Sequence, residues 1–251
     1  MPNIIMADKQ GGKYQEGISG VSANRIMIGP IANVSVAYTF TGGDVVIDFP
    51  TKLIYTSLLF NGVSRASGMP QVKLIINCLG ISQINSYNQN FLYGCDVFEE
   101  VIFNCSDTSY KGVPIGNHGF GQATCKVKKI SGMPIGLKKS SVSGSYRIFN
   151  ANTTIEDVRF YENYSPQEID FQNASKFNND TLISLANGLE VSAGSATLKL
   201  HSTPKGRLAS IMGTVQSVTI DEVTYDRFVA DENGTVTLQD FITTTKGWTL
   251  T

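Results

Sequence analysis

Apolar residues recur along the chain at matching positions in successive segments. The clearest segment ends at Phe103, and its apolar or small positions are Leu92, Cys95, Phe98, Val101 and Phe103. The counterparts 57 residues further on are Phe149, Asn152, Ile155, Val158 and Phe160. The counterparts 29 residues earlier are Val63, Ala66, Met69, Val72 and Leu74. A weaker copy between the first two sets consists of Thr124, Val127 and Ile130, with Gly132 in the last apolar position. This pattern predicts a structural repeat of about 29 residues.

Within each repeat, a short segment alternates apolar and polar residues, as half-buried strands do. One such unit cannot bury its apolar side alone, so stacked coils with a continuous core are expected. The period also lies within the range of leucine-rich repeats, about 20–29 residues. We therefore predict a mainly β protein with short helices: a leucine-rich-repeat solenoid with parallel strands along one wall, capped at both ends. The strand triplets are Val72-Lys73-Leu74, Val101-Ile102-Phe103, Val158-Arg159-Phe160 and Leu198-Lys199-Leu200.

The pattern divides the chain into three regions. Residues 1–50 are predicted to form an N-terminal arm and capping strands, residues 51–176 the repeat coils, and residues 177–251 a C-terminal repeat and cap. Strand-like alternation in the first region covers residues 34–40 and 45–49. The Gly-rich residues before it have two open interpretations, an arm held by a neighbouring subunit or a disordered terminus.

The sequence pattern of the C-terminal region differs from that of the repeats. Asn178 is a suitable N-cap for a helix. Its apolar face would consist of Leu182, Leu185, Ala186 and Leu189. Strands are expected at residues 197–202, 215–220 and 248–250, and a short helix at 238–245. The single tryptophan, Trp248, is predicted to be an apolar lid on the last coil.

Composition and charge exclude several classes of function. The 251 residues have a net charge of −1, so nothing indicates nucleic acid or an anionic membrane as a partner. No run approaches the ~18 apolar residues of a membrane span, so no membrane insertion is expected. The first residues lack the basic and apolar regions of a secretory signal, and we expect none.

Reactive side chains are few and poorly arranged for catalysis. Neither His118 nor His201 accompanies a G-x-S-x-G nucleophile elbow. The acidic pairs Glu99-Glu100 and Glu156-Asp157 occupy the same slot in two repeats, which favours a solvated rim over a glycosidase site. We therefore predict no catalytic residue, no metal site and no cofactor.

The four cysteines are Cys78, Cys95, Cys105 and Cys125, and none forms a CxxC motif. Cys95 is expected in a small buried slot at a coil corner, where a free cysteine behaves as a compact apolar group. The matching residues in other repeats are Ala66, Thr124 and Asn152. Cys78 and Cys105 each follow a strand of adjacent coils, so we expect them to lie close together. Whether they form a disulfide is left open.

The outward-facing middle residues of the triplets are the best candidates for a binding surface, because extended solenoid sheets often present one. They are Lys73, Ile102, Arg159 and Lys199. Their mixed character favours a protein or a glycan as the ligand. The convex loops are the alternative surface.

Two groups of motifs resemble known families over roughly residues 60–251. The FxxC…EVxF coils resemble the BspA-like leucine-rich repeats of bacterial surface proteins. The C-terminal motifs SLANGL, TLKLHSTPKGRL, IMGTV and TLQDFITTTKGWTL are similar to the end of repeat proteins encoded by tailed phages and prophages of gut bacteria, which commonly finish in KGW.

The resemblance implies a non-enzymatic structural protein of a tailed-phage virion, in the tail, baseplate or fibre. Its expected partners are other virion proteins and further copies of itself, and also a host-surface glycan or protein. The alternative is a leucine-rich-repeat adhesin on the bacterial cell surface. That alternative requires an export signal, which the sequence does not show.

Overall fold

Strands dominate the part of the chain that the computed structural model describes, and the helices are short. The described residues are 3–5, 25–28, 42–49, 64–78, 92, 94–106, 112–114, 119–136, 147–161, 168–192, 196–220 and 222–251. Parallel strands stack in a solenoid-like manner over about three turns. The predicted mainly β class with parallel strands is confirmed. The strand predicted at residues 34–40 lies outside the described residues.

The larger sheet is parallel throughout. Its strands are β1 Asn3–Ile5, β2 Arg25–Ile28, β3 Val45–Phe49, β4 Val72–Cys78, β5 Phe98–Cys105, β6 Val113–Pro114, β7 Lys129–Gly136 and β8 Asp157–Tyr161. They lie in the order β1-β2-β3-β4-β5-β7-β6, with β8 also paired to β7. The sequence pattern predicted β3 with the observed bounds but neither β1 nor β2. Parallel neighbours require long crossover connections, which the remainder of each coil provides.

The register of the larger sheet confirms two of the predicted spacings and corrects the third. Val101 pairs with Ile130, and Ile130 pairs with Val158, as the forward matches predicted. The backward match was wrong, because Val101 pairs with Leu74 and not with Val72. The ladder shifts directly after Val72. Since strand side chains alternate with a period of two, a shift by two residues leaves the same side chains facing the core.

The departure from the repeat at Gly132 is a bulge in β7. Ile130 and Ile135 are buried and pair with the two inward residues of the β8 triplet, so several residues of β7 stand opposite one of β8. Gly132 has φ +80°, and a Cβ at this position would lie 2.3 Å from the carbonyl oxygen of Phe103. Ile135 therefore supplies the inward apolar side chain that the repeat lacks at Gly132.

The segments that precede the strands of the larger sheet also stack on one another. Phe120 donates its N–H to the carbonyl of Ile148 at 2.9 Å. The ring of Phe149 then packs on that of Phe171 with centroids 5.4 Å apart. These stacked segments form a second wall. From Phe171 onward this wall is a smaller parallel sheet. Its strands are β9 Glu168–Phe171, β10 Thr197–Leu200 and β14 Thr249–Leu250, with β10 in the centre. The core lies between the two walls.

This arrangement corrects one placement. The triplet Leu198-Lys199-Leu200 was expected in the same sheet as the other three triplets, but it belongs to β10 of the smaller sheet. The physical reason is a helix, α1 Asn179–Gly188, which follows β8 and takes the next position along the larger sheet.

The helix α1 was predicted, and its N-cap and apolar face are confirmed. The side chain of Asn178 accepts a hydrogen bond from the N–H of Thr181 at 2.8 Å, which satisfies one unpaired donor of the first turn. All four predicted apolar residues are buried: Leu182, Leu185, Ala186 and Leu189.

Two hydroxyl groups of α1 pair with the backbone of β8. The Thr181 Oγ1 accepts from the N–H of Val158 at 2.9 Å and donates to the carbonyl of Glu156 at 3.0 Å. The Ser184 Oγ accepts from the N–H of Phe160 at 2.8 Å. An edge strand with open N–H groups can pair with another chain. These hydroxyls take the place of the next strand and occupy the edge.

Replacing Thr181 with valine should show what this edge contact contributes. Thr181 is fully buried, and valine keeps its shape while leaving the N–H of Val158 without a partner. The expected loss is about 1–3 kcal/mol in the free energy of unfolding, measured by urea denaturation. Thr244→Val is the matched control, because Thr244 is exposed, and it should change stability by less than about 0.5 kcal/mol. Equal effects of the two substitutions would contradict the role given to the hydroxyl.

The remaining elements form a hairpin and a last short coil. They are α2 Ser202–Arg207, a 3₁₀ turn Leu208–Ser210, β11 Met212–Ile220, β12 Val223–Ala230, β13 Val236–Thr237, α3 Leu238–Asp240 and a π-helical turn Phe241–Thr245. The strand expected at 215–220 and the helix expected at 238–245 are confirmed. β11 pairs antiparallel with β12 and β13. The amide of Asn187 bonds both the N–H and the carbonyl of Phe228, at 2.7 and 3.0 Å, and so fixes the hairpin to α1.

The terminal Lys246-Gly247-Trp248 turn packs on residues 190–192. The carbonyl of Lys246 accepts from the N–H of Ser192 at 2.7 Å, and the indole N–H of Trp248 donates to the carbonyl of Glu190 at 2.8 Å. Gly247 has φ +71°, and a Cβ there would lie 2.8 Å from the carbonyl oxygen of Ser192. The Lys246 carbonyl, the Gly247 backbone and the Trp248 indole therefore each contact this segment in a different way. None of the described helices has the length and apolarity needed to cross a membrane.

Candidate binding surface

The four side chains predicted to form a binding surface are all outside the buried core, but they do not share one face. Lys73, Ile102 and Arg159 lie on the outer face of the larger sheet, in β4, β5 and β8. Lys199 lies on the smaller sheet, where its Nζ is 2.8 Å from Glu168 Oε1. The outer face of the larger sheet holds three of the four side chains and is therefore the candidate binding surface.

The register shift separates Lys73 from Ile102 on this face. Lys73 pairs with Glu100, whereas Ile102 pairs with Ile75. The outward side chains consequently lie in three rows across the sheet. They are a charged row (Asp44, Lys73, Glu100, Lys129, Asp157), an apolar row (Val46, Ile75, Ile102) and an amide row (Asp48, Asn77, Asn104).

The charged row alternates in sign from strand to strand. Lys73 Nζ lies 3.0 Å from Glu100 Oε2, and Lys129 Nζ lies 3.9 Å from Glu100 Oε1 and 3.7 Å from Asp157 Oδ2. Asp44 begins the row by accepting the backbone N–H of Lys73 at 2.9 Å. Opposite charges on neighbouring strands attract, whereas like charges would repel. The row thus fixes the lateral order of the coils and leaves little net charge on the face.

The apolar row runs between the two polar rows. Val46, Ile75 and Ile102 are each neither buried nor fully exposed. In the next strand Ser131 pairs with Ile102, so the apolar row ends at β7. A partly exposed aliphatic stripe with polar borders has the anatomy of a protein contact, in which an apolar centre is surrounded by a polar rim.

The amide row is a hydrogen-bonded ladder. Asn77 donates from Nδ2 to Asp48 Oδ1 at 2.8 Å, and Asn104 donates from Nδ2 to Asn77 Oδ1 at 3.0 Å. Stacked amides in register are a recurring way to join parallel strands. Each amide is thereby held in one orientation at the edge of the face.

Glu100 is the best-connected residue of the charged row. Its side chain is 15% exposed and also accepts a hydrogen bond from Ser131 Oγ at 3.1 Å. Partial burial alone would raise the pKa of Glu100, but the contacts from Lys73, Ser131 and Lys129 outweigh it and hold that pKa below its usual value. The charged form is therefore favoured in the folded protein.

The lowered pKa of Glu100 predicts a pH-dependent contribution to stability. A lowered folded-state pKa stabilises the fold above the unfolded-state value, and this contribution is lost as the pH falls from about 5 through the folded-state pKa. We expect Glu100→Gln to reduce the free energy of unfolding by about 1 kcal/mol at pH 7 and by much less at pH 3. Urea denaturation at both pH values measures the difference.

The control is Glu99→Gln at the neighbouring carboxylate, whose side chain is 41% exposed and forms an ion pair with Lys128. Its effect at pH 7 should be smaller, because exposed ion pairs contribute little. A loss for Glu100→Gln that is the same at pH 7 and pH 3 would contradict the electrostatic explanation.

The described side chains that were weighed for catalysis contact neighbouring polar groups. The Nδ1 of His201 accepts the N–H of Thr203 at 3.1 Å and caps α2. His118 lies outside the described residues. The acidic pairs do occupy the same slot, in the coils of β5 and β8 on either side of β7, and their carboxylates form ion pairs with lysines. Among the described residues no three or more His, Cys, Asp or Glu side chains are grouped as metal ligands.

The corner slot predicted for Cys95 exists, but two of its predicted occupants were wrong. Cys95 is buried and donates its N–H to the carbonyl three residues earlier, as the other occupants do. The occupants are Cys95, Cys125, Asn152 and Ala174. Thr124 and Ala66 are exposed and lie outside the slot. Cys125 lies five residues before Ile130, whereas Cys95 lies six residues before Val101, the register partner of Ile130. This difference explains the error at Thr124.

Sequence reasoning missed most of the residues that build the outer face. It singled out Lys73, but neither the other partner lysines of the acidic pairs nor the amide row. A signal for the amide row was present, since Asp48, Asn77 and Asn104 each stand one residue before the end of a strand. The partners within the charged row could be identified only from the strand register, which the sequence pattern had placed two residues away.

Comparison with known proteins identifies no relative. No protein-family model matches the chain, no curated protein matches it, and no solved structure matches it.

Proposed function

We propose that the chain is a leucine-rich-repeat protein with a non-enzymatic, binding function, and that it is a structural component of a tailed-phage virion. Its place would be the tail, baseplate or fibre. The observation that carries the binding function is the outer face of the larger sheet, where a partly exposed apolar row runs between a charged row and an amide row over consecutive coils.

Leucine-rich repeats are supported by the spacing and by the corner slot. Consecutive inward residues are 27, 29 and 28 positions apart, at Leu74, Val101, Ile130 and Val158. A small buried side chain recurs at the corner of four successive coils, as Cys95, Cys125, Asn152 and Ala174, in keeping with the Asn or Cys that such repeats carry. Units of this kind stabilise one another by stacking and present one extended face.

The virion setting rests on the resemblance of the C-terminal motifs. The terminal Lys246-Gly247-Trp248 turn is held by packing, because the Lys246 carbonyl, the Gly247 backbone and the Trp248 indole all contact the 190–192 segment. Because packing constrains this turn, we interpret the KGW ending as a structural motif and not as a chance result of composition.

The partners proposed for the outer face are other virion proteins and further copies of the chain, and a host-surface glycan or protein is a second role. The charged row pairs internally, so a polyanion is a poor fit. A protein surface with an aliphatic centre matches the apolar row better.

Immunogold electron microscopy of phage particles purified from the source culture tests the location, with serum raised against the recombinant protein. Label at one locus, such as the tail tip, is expected. Unlabelled particles beside labelled bacterial cells would overturn the virion proposal in favour of the cell-surface adhesin.

A matched set of variants tests the face itself. Ile75→Glu and Ile102→Glu place a charge in the apolar row, and they should lower the amount of recombinant protein recovered on particles of a phage lacking its own copy by about tenfold or more. Val191→Glu is the control, because Val191 is 68% exposed and lies after α1, outside the strands of the larger sheet. Circular dichroism must first show that all three variants are folded. Equal recovery of the three would overturn the assignment of the face.

A further inference from the structure

Two cysteines lie side by side at the ends of neighbouring strands. Cys78 ends β4 and Cys105 ends β5, and the two residues are register partners. Their Sγ atoms are 3.2 Å apart, and both thiols are free. Parallel neighbours lie about 4.7–4.9 Å apart, which is within the Cα separation of about 4.4–6.8 Å that a disulfide requires. The expected proximity is confirmed, and the backbone needs no rearrangement for a bond.

The two thiols differ in access and in acidity. Cys78 is 5% exposed, whereas Cys105 is partly exposed. Either thiol can donate the hydrogen bond between the two sulfurs, and Cys78 is the donor when Cys105 is ionised. This bond stabilises a Cys105 thiolate and lowers the pKa of Cys105, while the same bond, together with burial, raises the pKa of Cys78. Reactivity towards oxidants follows thiolate character and access, so Cys105 is the group that reacts first.

We propose that Cys78 and Cys105 form a modification site, an oxidisable dithiol that closes into a disulfide between two adjacent coils when a small peroxide reaches Cys105. The inference is independent of the proposed function. It assigns the first attack to Cys105 and the closing step to Cys78.

The chemistry balances with hydrogen peroxide as the oxidant. The Cys105 thiolate attacks one peroxide oxygen, an S–O bond forms, the O–O bond breaks and hydroxide leaves. The sulfur is oxidised to a sulfenic acid and the peroxide is reduced. The Cys78 sulfur then attacks the sulfenic sulfur, the S–S bond forms, the S–O bond breaks and water leaves with the Cys78 proton. Two thiols and one peroxide give one disulfide and two waters.

The other two cysteines provide an internal contrast. Cys95 and Cys125 are 1% and 0% exposed in the corner slot. Burial raises the pKa of Cys95 to about 12 and that of Cys125 to about 11. Neither forms an accessible thiolate, so both should remain reduced while the Cys78–Cys105 pair oxidises.

Closing the bond links positions that are 27 residues apart along the chain. A covalent link of this kind restricts the unfolded chain and stabilises the fold. The oxidised protein should melt higher than the reduced protein by roughly 5–10 °C. The link joins β4 to β5 beside the end of the amide row, so it would also fasten two coils of the outer face.

The test treats the folded full-length protein with hydrogen peroxide, removes the oxidant, alkylates in denaturant and identifies peptides by mass spectrometry. We expect a mass loss of about 2 Da, one linked peptide pair containing Cys78 and Cys105, and alkylated Cys95 and Cys125. Full alkylation of all four thiols after peroxide would overturn the proposal. A disulfide between two chains, visible on a non-reducing gel, would overturn it too.

Two serine variants separate the roles. In Cys78→Ser the sulfenic acid on Cys105 should persist, react with dimedone and leave the melting temperature unchanged by peroxide. In Cys105→Ser, which alters the more exposed and better tolerated position, neither the linked peptide nor a dimedone adduct on Cys78 should form. An adduct on Cys78 as large as that on Cys105 would contradict the order of attack.

Discussion

Phe149→Ala should lower the free energy of unfolding by about 3–5 kcal/mol, because truncating a buried aromatic side chain removes apolar contact and leaves a cavity. Phe149 is 1% exposed and is the centre of an aromatic cluster. Its ring centroid lies 6.1 Å from that of Phe120, 5.4 Å from that of Phe171 and 5.8 Å from that of Phe177. With Phe149 itself, these rings come from three successive coils, so the Phe149 ring joins the repeat coils to the C-terminal part.

Urea denaturation with two signals measures this effect. Far-ultraviolet circular dichroism reports the strands, and the fluorescence of the single tryptophan, Trp248, reports the last coil. In the unmodified chain the two transitions should coincide if the coils unfold as one unit. In Phe149→Ala the loss of the connecting ring should lower both midpoints, and a separation of the two curves would locate the weakened link between the repeat coils and the C-terminal part.

The matched variant is Phe149→Leu, which keeps most of the apolar volume. It should reduce stability by less than about 1.5 kcal/mol. A leucine variant as unstable as the alanine variant would mean that ring geometry dominates over volume. An alanine variant as stable as the unmodified chain would show that the cluster does not hold the coils together.

Gly132→Ala should destabilise the protein by about 3 kcal/mol or more, and it is the second large effect we expect. A left-handed backbone costs a non-glycine residue about 1–2 kcal/mol. In addition, the new Cβ would lie 2.3 Å from the carbonyl oxygen of Phe103, so one strand of the sheet must move. Forcing atoms into a packed region typically costs about 1–3 kcal/mol more.

Gly68→Ala separates the two contributions. Gly68 has φ +85°, close to the +80° of Gly132, but nothing lies within 4 Å of a Cβ at Gly68. It should cost about 1–2 kcal/mol from the backbone conformation alone. Thermal and urea denaturation of both variants give the difference, which measures the close approach of β7 to β5. Equal losses at the two glycines would show that the sheet accommodates the methyl group without strain.

The bulge at Gly132 and the hydroxyl contacts of α1 have different effects on the larger sheet. The bulge keeps β7 between β5 and β8 although the repeat loses an apolar residue there. The hydroxyls of Thr181 and Ser184 end the sheet at β8 by pairing with its backbone. The hydroxyl contacts thereby cover an edge of the parallel sheet, which would otherwise favour pairing between molecules.

The sequence by itself determined which side chains face the core and where the main helix lies. Inward residues such as Leu74, Val101 and Val158 follow from the alternation of strand side chains, which has a period of two and needs only local information. The helix α1 was predictable because its N-cap Asn178 and its apolar spacing are also local features.

Only the tertiary structure decided the register and the assignment of strands to sheets. A two-residue slip keeps every side chain on its face, so the alternation cannot distinguish Val72 from Leu74 as the partner of Val101. The strand β10 alternates like the others, yet α1 occupies the position beside β8 and directs β10 to the smaller sheet. The three rows of the outer face depend on that register, because lateral neighbours in a parallel sheet come from distant parts of the chain and are fixed by the packing of whole coils.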